Sequence, residues 1–117
     1  MKTEKVIIQS LQKEIVYYIG QNKDENFMII DMCKSKDYWI HAKNESSCHV
    51  VIELPDYKLN KTDIRQIIKA GCLFCKQNTN KLKSQKKVEF IYTTIGNISK
   101  TNIAGCVTTK DTKTVIC

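Results

Sequence analysis

No run of apolar residues in this chain approaches the roughly 20 needed to cross a bilayer as a helix. The opening Met1-Lys2-Thr3-Glu4-Lys5 leads into a short apolar stretch broken at Gln9, without the long apolar region or small-residue cleavage site of a secretory signal. Proline is nearly missing, Pro55 being the only one. No linker, low-complexity tract or internal repeat interrupts the sequence, so one domain is expected over residues 1–117. Arginine is nearly missing too. With Arg65 alone, phosphate contacts would fall to lysine point charges and not to bidentate guanidinium forks. There is no phosphate-binding glycine loop and no serine-centred elbow, which removes two common catalytic frameworks.

What is present fits a folded, basic domain. Apolar residues make up 42% and charged residues 26%, a globular balance. Nineteen basic against 12 acidic side chains give a formal charge of +7, which draws polyanions by steering and counterion release. Part of that lysine excess belongs with a wider Lys, Asn and Ile bias of the kind an AT-rich coding genome produces. The six cysteines are scattered, and reduced thiols in a cytoplasmic protein are the expected state.

Val6-Ile7-Ile8 and Ile15-Val16-Tyr17-Tyr18-Ile19 predict a hairpin around Gln12-Lys13-Glu14. A turn over Gly20–Asp24 leads to a short helix through Met32, with Asp24 as its cap. Strands are expected at Asp37–Ala42 and His49–Glu53. Ile64, Ile67, Ile68, Gly71, Cys72 and Cys75 then mark one face of a long helix over about 60–78, with Asn60 as N-cap and Asp63 in the first turn. A basic segment, Lys81–Lys87, precedes four more strand-like runs, near residues 88–93, 98–102, 105–109 and 112–116. The whole reads as an α+β domain, a mostly antiparallel sheet with the long helix on one face.

Asp37-Tyr38-Trp39-Ile40-His41-Ala42-Lys43 alternates strictly. Tyr38, Ile40 and Ala42 should enter the core, and Asp37, Trp39, His41 and Lys43 should point the other way. A strand face with an indole, an imidazole and an ammonium offers a ring for base stacking and polar groups for phosphate and 2′-hydroxyl oxygens. Trp39 as a core residue is the alternative. The turn Asn44-Glu45-Ser46-Ser47 brings hydroxyls and backbone N–H groups that could meet a phosphate. Whether His41 and His49 share a face depends on strand register. Cys72-x-x-Cys75 with the two histidines would make a four-ligand zinc set, but no second close-spaced ligand pair supports it, and both cysteines fall on the apolar helical stripe. No metal, cofactor or catalytic residue is expected.

The run Asp37–Lys43, followed by His49-Val50-Val51-Ile52, resembles the central motif of the NFACT-R domain family: Asp, any, aromatic, apolar, His, small, basic, a small-residue turn, then His and a β-branched strand. Ile19–Asn26 is similar to the family's entry to its first helix, and Ala70–Cys75 to its alanine-rich helix. Val88–Thr93, Ile98–Lys100, Gly105–Val107 and Thr112–Ile116 fit its terminal pattern, so the likeness runs over roughly residues 14 to 117. The resemblance implies RNA binding. Larger members join this domain to an NFACT N-terminal domain and coiled-coil arms and act with tRNA on stalled ribosomal subunits, adding tails to stuck nascent chains. The expected ligand is therefore tRNA or ribosomal RNA in a translation or ribosome-quality-control setting, with no membrane partner. The contacts would come from Asp37, Trp39, His41, Lys43, Ser46, Ser47 and His49, with Lys81, Lys83, Lys86, Lys87 and Lys100. Neither partner region stands in this sequence, so a stand-alone binder that does not tail by itself is expected. Ser46-Ser47-Cys48 replaces the usual Pro-Gly-Ser of the turn and is similar to a coiled-coil branch linked to DNA. DNA binding, or a purely protein-binding adaptor, are the alternatives.

Overall fold

The computed structural model describes residues 1–117. The first two strands, β1 (Lys2–Ile8) and β2 (Lys13–Gly20), form the expected hairpin, with Val6 opposite Ile15. Helix α1 (Lys23–Met32) follows, then β3 (Tyr38–Ala42), β4 (His49–Glu53) and the long helix α2 (Lys61–Gln77). After a 3₁₀ turn at Asn80–Leu82 come β5 (Glu89–Thr94), β6 (Ile98–Lys100), β7 (Val107–Thr109) and β8 (Lys113–Ile116). Six strands form one sheet in the order β1-β2-β4-β3-β5-β8, and β6-β7 form a small ribbon. Every pairing is antiparallel. No helix is long and apolar enough to cross a membrane.

Helix α2 starts as its sequence dictates. The Asn60 side chain accepts from the Asp63 N–H at 2.8 Å and the Asp63 carboxylate accepts from the Asn60 N–H at 3.2 Å, a reciprocal box that satisfies two otherwise orphaned donors. Asp63 also accepts from Ser10 Oγ at 2.6 Å, tying the first hairpin turn to the helix start. The buried stripe is Ile67, Ile68, Gly71, Cys72 and Cys75. A Cβ on Gly71 would lie 2.5 Å from Ile40 Cδ1 and 3.2 Å from Ile52 Cδ1, so the missing side chain sets how closely helix and sheet approach. Tyr17 donates to the Ile67 carbonyl at 2.9 Å from the sheet side.

The cap of α1 is Asn22 and not Asp24. Its side chain accepts from the Glu25 N–H at 2.9 Å, and Asp24 sits exposed in the first turn. The helix begins two residues earlier than a cap at Asp24 would set, which gives Asn22 the N3 donor. Spaced as one helical face, Asn26, Ile29 and Ile30 turn inward.

The alternation of β3 holds, but both of its faces are covered. Ile40, Ala42, Val50 and Ile52 join the 16-residue core under α2. Trp39 and Val51, on the other face, pack with Ile29, Ile30 and Ile95 in a second cluster beneath α1. Trp39 is 2% exposed and is a core residue, contrary to an outward-facing strand side. Asp37 is fully buried as well. Its carboxylate accepts from the Lys34 N–H and the Leu54 N–H, each at 2.9 Å, pinning the entry of β3 to the exit of β4. Period-two patterning separates the faces of a strand but does not tell which face meets solvent.

Candidate nucleic-acid interface

The pairing of β3 with β4 sets Trp39 opposite Val51 and Ile40 opposite Val50, so Trp39, His41 and His49 share the α1 face of the sheet. Three rings meet there. Trp39 and His41 stack with centroids 5.6 Å apart and planes 2° from parallel. His49 stands edge-on to both, 5.3 Å from Trp39 and 4.9 Å from His41. Trp39 Nε1–H donates to His49 Nδ1 at 3.2 Å, which places the His49 proton on Nε2. His41 Nδ1–H donates to the Ala42 carbonyl at 2.7 Å, leaving Nε2 as an acceptor. Burial, reinforced by the neighbouring His41, pushes His49 down to about 3. Burial also lowers His41, with the Lys81 charge adding to it against the pull of its backbone hydrogen bond. Both imidazoles are therefore neutral hydrogen-bonding groups near pH 7, not phosphate-pairing cations.

Above the rings lies a cleft of about 630 Å³. Its floor is Trp39, His41, His49 and Ile91. Its walls are the start of α1 (Asn22, Lys23, Asn26), the β3–β4 turn (Asn44 to Ser47) and the loop into β7 (Ala104 to Val107). Asn44 takes a left-handed φ of 61°, which asparagine tolerates and which turns the chain between β3 and β4. A second cleft of about 430 Å³ adjoins it, sharing Asn26, Ser46 and Ser47 and adding Gln21, Asn78, Thr79, Asn80 and Lys81. Across the seam, Ser46 is exposed. The Ser47 hydroxyl is already engaged: it accepts from the Ala42 N–H at 3.1 Å and donates to the Cys48 carbonyl at 2.9 Å.

Asn26 occupies the seam. Its Oδ1 is the only buried side-chain nitrogen or oxygen without a hydrogen-bond partner. It rests against Gly20, where a Cβ would lie 2.4 Å away, so β2 needs a glycine there to admit the carboxamide. An unpaired buried polar atom costs roughly 1–3 kcal/mol.

The sequence-expected contacts therefore separate. Trp39, His41, Ser46, Ser47 and His49 gather at the first cleft, and Lys81 at the second. Lys43 is exposed at the end of β3, its Nζ 3.6 Å from Glu89. Lys83, Lys86 and Lys87 are exposed on the loop before β5, outside both cleft linings. Lys100 lies across α1, paired with Asp31 and 5.1 Å above the Phe27 ring. Asp37 is at the opposite end of β3, buried as described. Asn26, Lys23, Thr79 and Asn80 were missed. The only sequence signal for Asn26 is its place in the Ile19–Asn26 entry to the first helix. Cys72 and Cys75 sit in the core under α2, with the sheet between them and the two histidines, which divides the supposed zinc set.

The pattern that defines the NFACT protein RNA-binding domain matches residues 5–111, and the chain belongs to that family. The family is one of RNA-binding domains. The chain is also similar to a coiled-coil domain-containing protein 25 homolog of Dictyostelium discoideum, 29% identical over 91 residues, which are 78% of this chain and 44% of that protein. In fold it is similar to the C-terminal part of the fibronectin/fibrinogen-binding protein of Streptococcus suis, with a TM-score of 0.79 and 21% identity over 99% of this chain and 45% of that one. The chain thus spans less than half the length of either relative.

Proposed function

We propose that the joined clefts hold an unpaired stretch of RNA, from tRNA or ribosomal RNA, in a cytoplasmic, ribosome-associated setting. The observation that carries this reading is the seam itself, where Asn26, Ser46 and Ser47 line both clefts at once. Around it stand groups suited to a single strand: His41 Nε2 as a neutral acceptor, the free hydroxyl of Ser46 and the Lys81 ammonium. Trp39 acts beneath the surface, holding His49 and bracing His41, and does not itself stack on a base. DNA is the second reading, kept by the Ser46-Ser47-Cys48 turn and by the likeness to a coiled-coil protein.

Fluorescence anisotropy with labelled tRNA, ribosomal RNA fragments and DNA of matching sequence tests both. Asn26→Ala and Lys81→Ala should each weaken RNA binding by about 1–3 kcal/mol, as loss of a buried or charge-assisted hydrogen bond does. The salt dependence should flatten for the lysine variant only. Unchanged affinity in an Asn26→Ala, Lys81→Ala double variant would remove these clefts from the interface. Tighter binding to DNA would favour the second reading. Crosslinking to cellular RNA identifies the natural ligand.

A further inference from the structure

The opposite face of the sheet carries another cavity. Helix α2 packs chiefly on β3, β4, β2 and β1, and its second half reaches the β5–β8 edge through Phe90 of β5 and Cys117. At the other end of the helix, a groove of about 510 Å³ opens between the first turns of α2 and the β5–β8 pair. Its floor holds Tyr38 and Tyr92, half-buried and edge to face with centroids 5.9 Å apart. Lys61, Arg65 and Lys113 stand around it, all exposed, against the single carboxylate of Asp111. The ion pairs of the chain engage none of these three cations. Arg65 is the only guanidinium in the sequence, the group best suited to bidentate phosphate contact and to lying on a flat ring.

We propose that this groove is a second binding site, for a nucleoside phosphate, with the tyrosine pair meeting the base and Lys61, Arg65 and Lys113 meeting the phosphate. The volume suits one such unit, since small-ligand sites span roughly 300–1,000 Å³. Three cations to one carboxylate favour an anion over a polypeptide side. The rings supply the flat apolar partner that a bare phosphate would not need. The unit is either a free nucleotide or one residue of a strand. In the second case the domain grips nucleic acid at two points on opposite faces of its sheet, which is independent of how the first clefts work.

The test is nuclear magnetic resonance on the ¹⁵N-labelled chain, titrated separately with adenosine and uridine monophosphates and with an unstructured RNA oligonucleotide. Amide shifts should cluster at Ile64, Arg65, Tyr92 and Lys113. They should persist in Asn26→Ala, which separates this groove from the first clefts. Perturbation by the mononucleotides identifies a free-nucleotide site, and perturbation by the oligonucleotide alone identifies a strand contact. Arg65→Gln with Lys113→Gln should weaken the interaction by roughly tenfold or more, the scale of losing charge-assisted hydrogen bonds. Lys61→Glu, which suits a first helical turn, should weaken it independently without disturbing the fold. Silence toward both probes would overturn the proposal and leave the groove to a polypeptide partner. Shifts that survive the double variant would overturn it as well.

Discussion

The two faces of the sheet are built to different standards. Under α2, 16 buried residues interlock around Gly71, with Tyr17 tied to the Ile67 carbonyl. Under α1, five do so, and the remaining area is left to rings, amides and a cleft. A closely packed face tolerates little, and it carries the fold. A thinly covered face keeps polar groups within reach of solvent, and the proposed RNA clefts lie on it. On that reading the motif strand serves binding by being incompletely covered, not by being exposed.

The comparison breaks most visibly at Trp39. Truncation to alanine removes the largest member of the smaller cluster and leaves His49 Nδ1 unpaired. Chemical denaturation should show a loss of about 3–5 kcal/mol, with RNA binding falling only as the fold does. Trp39→Phe keeps much of the volume but not the donor, and a loss of roughly 1–3 kcal/mol is expected. On the other face, Gly71→Ala forces a methyl against Ile40 and should cost about 1–3 kcal/mol by the same measurement, with RNA affinity unchanged once the protein is folded. A loss of RNA affinity in folded Gly71→Ala protein would erase the distinction between faces.

Acid acts on the thin face. His49 in the folded chain is held at about 3 against an ordinary 6.5, and His41 is lowered in the same direction. The unfolded chain therefore binds more protons in that window. Stability should be complete above about pH 6.5 and fall as pH drops toward 3, by at most about 1.4 kcal/mol per pH unit for each histidine. His49→Asn keeps an acceptor near the indole N–H and should flatten the slope. A midpoint-against-pH series on both proteins checks this. The smallest effect is expected from Lys43. Its exposed contact with Glu89 is worth at most about 1 kcal/mol, so Lys43→Ala should barely move the melting temperature.

Much of this architecture was written locally. The hairpin of β1 and β2, both ends of α2 and the strands around the histidines follow from runs, caps and period. Asn60 with Asp63 needs only three residues of spacing to be read. The order of the strands is different in kind, because β3 takes its second partner from β5, far along the chain. Two site features were hidden for the same reason. The burial of Trp39 depends on α1 folding over the sheet, and Asn26 becomes conspicuous only when its lack of a partner can be counted. The lysines show the reverse error. Charge alone did not separate Lys81, at the cleft, from Lys100, held by Asp31 on another side.

The strand order also sets a calendar for folding. β1 with β2, and β3 with β4, meet across short turns and can form early. Joining β3 to β5 requires Ala42 to find Phe90 after the whole of α2 has been laid down, a longer loop to close and a later event. β8 can then pair only with a β5 already in place. The ring cluster thus assembles on the early half of the sheet, whereas the tyrosine groove waits for the late half. During that interval the β5-facing edge of β3 is unpaired, at the centre of the finished sheet, a place where a bare strand edge can pair wrongly. Pulsed hydrogen exchange reads this order directly: protection should reach the Val50 and Val51 amides before the Tyr92 and Val115 amides, and simultaneous protection would show the sheet closing in a single step.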